Sequence, residues 1–222
     1  MFTGIISETG VVRGLLPGGG GARIAVACKG TAAALTPGDS VAVDGVCLTA
    51  VRTGPGFFEA DISPETVSRS TLGAVAAGDG VNLELPVTAT TPLGGHIVQG
   101  HVDGVGVVVA LKPEGRGYRL RVRYPQELGV YLVEKGSVAV AGISFTVAGL
   151  DDETFEVAVV PYSAERTTVA SWRPGRRVNL EADIIAKYVA KLWGQTGGGV
   201  RINAQRLAAL GFEAGWKDTS YE

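Results

Sequence analysis

Short apolar or alternating runs recur along the first part of the chain: Ile5 to Val12, Arg23 to Cys28, Ser40 to Asp44, Cys47 to Arg52, Phe57 to Ile62 and Val81 to Leu85. Each is broken from the next by Gly, Pro or Asp. A period of two, rich in β-branched and aromatic residues, predicts β-strands. Short strands at this spacing predict a small antiparallel barrel, because closing the sheet on itself removes exposed edges. A second series follows: Val102 to Leu111, Tyr118 to Arg123, Ser137 to Val140, Ser144 to Leu150, Thr154 to Val160 and Val178 to Glu181. Between the fifth and sixth run of each series, Pro64 to Thr71 and Pro161 to Thr168 read as short helices opened by proline. After Asp183 the period lengthens. Ile184, Ile185, Tyr188, Val189, Leu192 and Trp193 fall at helical steps and form one apolar stripe.

The two series are copies. Val41-Ala42-Val43-Asp44-Gly45-Val46-Cys47-Leu48-Thr49 matches Val138-Ala139-Val140-Ala141-Gly142-Ile143-Ser144-Phe145-Thr146, and the register carries on through Pro64 and Pro161, Arg69 and Arg166, Thr71 and Thr168, to Val81-Asn82-Leu83-Glu84 and Val178-Asn179-Leu180-Glu181. Repetition at this length means duplicated domains rather than a stack of short units. The expected fold is all-β: two tandem six-stranded antiparallel Greek-key barrels related by internal duplication, plus a C-terminal α-helix. The expected domains are 1–92, 93–183 and 184–222. Positions where the copies disagree carry the most information: His101 against Ile5, Ser144 against Cys47, Ala141 against Asp44.

Charge narrows the partners. With 20 Lys and Arg against 22 Asp and Glu, the chain offers no basic face for nucleic acid. The start lacks a basic leader and no apolar run reaches the roughly 20 residues that a bilayer needs, so no membrane partner is expected and the reading is a cytoplasmic protein. Cys28 and Cys47 lack metal-ligand spacing, and His96 and His101 are too few for most metal centres. The glycine runs at Gly18 to Gly21 and Gly197 to Gly199 lack the Lys-Ser/Thr pair of a phosphate loop; the first reads as a hairpin tip. Leu207, Leu210 and Phe212 hint at a further helix.

The opening Met1-Phe2-Thr3-Gly4-Ile5, the junction Gly94-Gly95-His96-Ile97-Val98-Gln99-Gly100-His101-Val102, and the paired Gly45-Val46-Cys47-Leu48-Thr49 and Gly142-Ile143-Ser144-Phe145-Thr146 segments together resemble the riboflavin synthase family. The likeness covers about residues 1 to 190 and implies two lumazine-binding barrels. It implies a transferase that moves a four-carbon unit between two molecules of 6,7-dimethyl-8-ribityllumazine, giving riboflavin and 5-amino-6-(D-ribitylamino)uracil. No metal or organic cofactor is implied. A homotrimer is, with active sites between subunits and the terminal helices holding it together; lumazine synthase is a further candidate partner. Duplication suits this chemistry, since two identical substrates need two similar pockets that hold them face to face.

By the same resemblance, His101 is the candidate base, Ser144 a donor to developing charge with Asp183 as its polar partner, and Cys47 a pocket wall. His96 reads as loop-stabilising. Thr49 and Thr146 lie beside the pocket by their repeat positions. Ribityl hydroxyls require donors and acceptors in place of water, for which Ser40, Asp61, Ser63, Thr66, Ser137, Ser163 and Thr168 are the candidates. Backbone groups of Gly4, Ile5, Gly100 and Val102 are candidates for the pyrimidine edge, and Phe2 packs nearby. The second copy departs from the family at Tyr162-Ser163, where the first has Glu65-Thr66. A non-catalytic relative of the lumazine protein type, binding lumazine or flavin as a fluorophore, is the alternative; a flavin reductase would need a nicotinamide-binding α/β half that is absent from the pattern.

Overall fold

The computed structural model describes residues 1–18 and 21–195. Twelve strands form two closed barrels. The first contains β1 (Glu8–Gly18), β2 (Gly21–Ala27), β3 (Ser40–Val43), β4 (Val46–Gly54), β5 (Phe57–Ile62) and β6 (Gly80–Glu84). The second contains β7 (Gly104–Glu114), β8 (Gly117–Arg123), β9 (Ser137–Val140), β10 (Ile143–Leu150), β11 (Thr154–Val159) and β12 (Arg177–Ala182). Going round the first barrel the order is β1-β2-β5-β4-β3-β6, and the second repeats it as β7-β8-β11-β10-β9-β12, a Greek key in each case. All pairings are antiparallel. The expected duplicated barrels are present. Each encloses its own core, around Ile24, Phe58, Leu72 and Leu83 in the first and Leu120, Phe155, Trp172 and Leu180 in the second.

The short helices also fall where proline predicts them: α2 (Pro64–Arg69) and α3 (Pro161–Arg166), each followed by a turn of 3-10 helix. Ser63 caps α2 by accepting the Thr66 N–H at 3.1 Å, whereas α3 starts after Val160 with no side-chain cap. Two elements have no periodic signal: α1 (Gly30–Ala34), and a 3-10 segment over Gln126–Tyr131 in the second barrel. α4 (Ile184–Gln195) is the expected terminal helix, with Ile185, Tyr188 and Val189 all more than half exposed. No helix among the described residues is long and apolar enough to cross a membrane. The segments Gly197 to Gly199 and Leu207 to Phe212 lie outside the described residues.

The clearest departure from the expected strands is at their starts. Runs beginning at Ile5 and Val102 become strands only at Glu8 and Gly104. The residues before them cross over instead. Phe2 pairs with Val98 in an isolated antiparallel bridge, with N–H to O distances of 2.7 and 3.1 Å. Around this bridge Phe2, Ala42, Val98 and Ala139 form a third small core shared by both copies.

Where the barrels touch, the contact is built from matching residues. β3 turns into β4 through Asp44-Gly45 and β9 into β10 through Ala141-Gly142, all four with positive φ, the signature of a two-residue type I′ hairpin. A Cβ on Gly45 would lie 2.6 Å from Gly142 N, and one on Gly142 2.8 Å from Gly45 N. Backbone therefore meets backbone. Asn82 donates through Nδ2 to the Ala141 carbonyl, and Asn179 to the Asp44 carbonyl, both at 2.9 Å. Their Oδ1 atoms accept the Thr168 and Thr71 N–H groups at 2.8 and 2.7 Å. Both amides are buried, so each cross-barrel bond also satisfies a group that water cannot reach. Asp44, aligned with Ala141, breaks the symmetry: its carboxyl accepts the Asn82 N–H at 2.8 Å, and burial pushes its pKa up to about 7.

Candidate active site

The crossing segments complete the opposite barrel. Gly4 presents its carbonyl to Ser144 N on β10 at 2.8 Å, and Gly100 presents its own to Cys47 N on β4 at 2.9 Å. Both glycines have positive φ, and a Cβ on either would fall within 2.6 Å of the facing Cβ. Only glycine allows so close an approach. Thus the first copy's leader borders the serine and the second copy's leader borders the cysteine.

A buried glutamate holds each leader in place. Glu84 Oε1 accepts Thr3 N–H at 2.6 Å and the Thr3 hydroxyl at 2.7 Å, and Oε2 accepts Gly4 N–H at 3.0 Å. Glu181 Oε1 accepts Gln99 N–H at 2.7 Å, while Oε2 accepts Gly100 and His101 N–H at 2.9 and 3.0 Å. Burial is the largest influence on both carboxyls and raises both; Glu181 reaches about 7. The repeat marks these glutamates as equivalent, but alternation alone gives no hint of what they hold.

Ser144 lines a cavity of about 410 Å³ with Lys135, Phe145, Thr146, Ala148, Ala158, Val160 and Ser163. Three candidates, Ser144, Thr146 and Ser163, are therefore together in the second barrel. His96 joins them from outside the expected set. It is buried, its Nδ1 lies 2.7 Å from Ser144 Oγ, and its N–H donates to the Thr3 carbonyl at 3.1 Å. Burial lowers its pKa below the ordinary imidazole value, against a smaller opposing effect of the Asp183 charge. A neutral imidazole beside a serine hydroxyl can accept its proton. The adjacent Gly95 is the available signal: a side chain there would strike Thr3 O and Ser144, so the chain must pass this point as glycine.

Asp183 accepts the Ile185 N–H at 2.9 Å at the start of α4, and its charge acts on His96, the partner of Ser144. His101 is exposed on the second leader, apart from this pair. Cys47 is half-buried and a free thiol, at the edge of the shared core. Phe2 lies inside that core, 1% exposed. Ile5 is exposed and Val102 packs partly against the first barrel's core.

In the first barrel Ser40, Thr49 and Asp61 stand side by side across β3, β4 and β5. Asp61 is also clasped by Arg23 through two bonds of 2.6 and 3.1 Å. Ser63 and Thr66 hydroxyls bond each other at 2.9 Å across the first turn of α2. Ser137 is opposite Thr146 on the second barrel's equivalent strands. Thr168 faces the other way: its hydroxyl accepts from Trp172 Nε1 at 3.1 Å and its N–H joins the inter-barrel contact. Tyr162 is exposed beneath the Arg166 guanidinium, 5.4 Å from the ring centre, so the departure at Tyr162-Ser163 leaves a hydroxyl in the pocket and the ring outside. Among the described residues no group of His, Cys, Asp and Glu could hold a metal ion.

Comparison with known proteins agrees with the duplicated architecture. The family described as the lumazine binding domain matches twice, over residues 3–86 and 99–183. The chain is 46% identical to the riboflavin synthase of Mycobacterium tuberculosis (strain ATCC 25618 / H37Rv) over 201 residues, covering 89% of this chain and 100% of that protein. It is 39% identical to the riboflavin synthase of Photobacterium phosphoreum, covering 86% and 88%, and 34% identical to that of Bacillus subtilis (strain 168), covering 85% and 88%. Solved structures of LumP complexed with 6,7-dimethyl-8-(1′-D-ribityl) lumazine and with riboflavin share the fold at 21% identity, with TM-scores of 0.75 and 0.77, covering 82% of this chain and 99% of theirs. With both barrels matched and relatives of this identity aligned over most of their length, the chain belongs to the riboflavin synthase family.

Proposed function

We propose that this protein is a transferase that dismutates two molecules of 6,7-dimethyl-8-ribityllumazine into riboflavin and 5-amino-6-(D-ribitylamino)uracil. The observation that carries this reading is the full-length likeness to riboflavin synthases, 46% identical over 201 residues. All atoms of the two substrates are found in the two products, so neither oxidant nor reductant is consumed. One substrate occupies the barrel with Ser144, the other the barrel with Cys47. Holding them face to face makes an encounter of two molecules effectively unimolecular, a gain that can reach about 7–11 kcal/mol in favourable geometry.

Within the second barrel, His96 takes the Ser144 proton through Nδ1, leaving the serine oxygen to act on the bound ring. In the earlier step, as the 7-methyl group is deprotonated, the still-protonated Ser144 hydroxyl donates to the charge that grows on the ring. Thr146 and Ser163, with Ser137 at the neighbouring strand end, hold the ribityl chain. The first barrel does so with Ser40, Thr49, Ser63 and Thr66, and Asp61, whose two oxygens are each held by Arg23, accepts through its remaining lone pairs. Backbone groups of Gly4, Ile5, Gly100 and Val102 edge the pyrimidine rings. His101 is exposed in a single chain, which suits a base presented to a neighbouring subunit's site. Replacing His101 with Gln is expected to lower kcat by about 10²-fold or more with little loss of lumazine affinity; unchanged kcat would remove it from catalysis.

Such a site requires a homotrimer in which residues 1–92 of one subunit face residues 93–183 of the next. The apolar stripe of α4 is the assembly element. Deleting residues 184–222 is expected to leave a monomer in analytical ultracentrifugation and to lower activity; a truncated protein that still sediments as a trimer refutes that role. A cytoplasmic setting fits the two free thiols, and lumazine synthase, which would supply the substrate, is the proposed partner. The deciding experiment is incubation of the purified protein with 6,7-dimethyl-8-ribityllumazine alone. One riboflavin formed per two lumazines consumed is the expected result. Tight binding without turnover would instead place the protein with fluorophore binders of the LumP kind.

A further inference from the structure

The two buried glutamates do the same work but are completed differently. In the first copy the Thr3 hydroxyl gives Glu84 an additional donor. The aligned residue in the second copy is Gln99, which contributes its backbone N–H alone. What the second copy has instead is a charged brace. Lys187, in the first turn of α4, places Nζ 2.7 Å from Asp103 Oδ1, and Asp103 Oδ2 accepts Ala182 N–H at 2.8 Å, on the residue after Glu181. Both side chains are more than three-quarters buried, so solvent screens this pair less than a surface one. The first copy has Ser7 where the second has Asp103, and its hydroxyl only bonds the Leu83 carbonyl.

We infer that Glu181 is a positioning residue for His101, and that Asp103 and Lys187 link the base of α4 to it. The inference rests on the reading above, in which His101 acts on substrate. Three backbone N–H groups converge on two carboxylate oxygens, fixing the peptide planes on both sides of Gly100 and of the bond leading into His101. The same segment delivers the Gly100 carbonyl to Cys47, so a shift in this anchor moves the base and the rim of the cysteine barrel together. A displacement of about 1 Å at such a point can cost about 10²-fold in rate.

Titration tells this role apart from a purely structural one. A proton on the carboxyl removes the charge that all three N–H donors share, and so weakens each of the bonds that hold the leader. The charged groups around Glu181 are Lys187 from α4 and Asp103 from the segment leading into β7; the facing residue of β9 is Ala139, without charge, and His101 follows on the leader itself. Lys187 favours the ionised carboxyl and Asp103 opposes it. Removing Lys187 therefore raises the pKa of Glu181, and removing the Asp103 charge lowers it.

The test is kcat and KM for riboflavin formation from about pH 5 to about pH 9, in the full-length protein and in Glu181→Gln, Lys187→Met and Asp103→Asn. Glu181→Gln is expected to lower kcat about 10²-fold with KM within about threefold, and to lose the acid limb near pH 7. Lys187→Met is expected to shift that limb to higher pH and Asp103→Asn to lower pH. An unchanged kcat in Glu181→Gln, or a limb that stays in place in both charge variants, overturns the inference. If Glu181→Gln does not fold, the opposed shifts of the other two decide. Unsubstituted protein that forms no riboflavin overturns the functional reading and this inference with it; normal turnover with silent variants overturns this inference alone.

Discussion

Replacing Ser144 with Ala is expected to lower kcat for riboflavin formation by about 10²- to 10⁴-fold, the range that a positioned proton-transfer or oxyanion-stabilising group supplies. His96→Gln is expected to produce a similar loss, because its Nδ1 is the only nitrogen placed against the serine hydroxyl in the described contacts, at 2.7 Å. The double variant should cost little more than either single one. Groups that act as a unit are non-additive, and that separates a working pair from two neighbours that each help binding. Stopped-flow or steady-state absorbance at the riboflavin band measures all three. Losses that multiply in the double variant would break the pairing. The pH profile adds a check of sign. Burial holds His96 below the ordinary imidazole value, so its neutral, proton-accepting form persists to lower pH than that of an exposed histidine. The contribution of His96 to kcat is then lost below the ordinary imidazole value, at lower pH than the step assigned to Glu181.

Gly45→Ala is expected to be strongly destabilising for a single methyl group. Gly45 has φ of 77°, where an L side chain costs roughly 1–2 kcal/mol. The new methyl would also lie 2.6 Å from Gly142 N and 2.9 Å from its Cα, and those are backbone atoms of the other barrel, which cannot turn aside. Overpacking of this kind adds about 1–3 kcal/mol. At about 2–4 °C per kcal/mol for a chain of this size, the unfolding midpoint should fall by roughly 5–15 °C. Gly78→Ala is the matched control. Its φ is 97°, but a Cβ there meets nothing within 4 Å, so only the conformational cost remains. Equal losses in thermal unfolding would mean that the barrel contact yields easily.

The strands were legible because barrel walls alternate. Phe57 to Ile62 and Thr154 to Val159 each bury one face on an apolar core, and a period of two records that directly, while Val41 to Val43 is buried throughout and reads as a short apolar run. The repeat register then placed the tight turns, since Gly45 and Gly142 align. What alternation cannot record is a contact made by backbone. The leaders Met1 to Ser7 and Ile97 to Asp103 look like strand beginnings, yet they pair across copies through peptide groups that every sequence possesses. Asn82, Asn179, Glu84 and Glu181 were visible as repeated letters, but their partners are main-chain atoms of the opposite barrel or leader. His96 was passed over for a related reason. Its worth comes from Ser144, remote in the chain and brought near only by the crossing of Thr3 and Gly4 onto β10. His101 drew attention as a difference between copies, and the single chain leaves it exposed, where only assembly or substrate can give it a partner.

The crossing has a consequence for how the chain is made. Synthesis makes Phe2, Thr3 and Gly4 well before their counterparts Val98 and Ser144. Until those partners are made Glu84 alone can hold Thr3 and Gly4, and until Gly100 is made the cysteine barrel stays open on that side. The cysteine barrel's gap can close as the second copy's leader appears, the serine barrel's only when β10 has been made, each by the leader of the other copy. Neither repeat is then a finished product by itself, and a duplication that began as two independent modules has become a mutual clasp that cannot be divided again without leaving both halves unsealed.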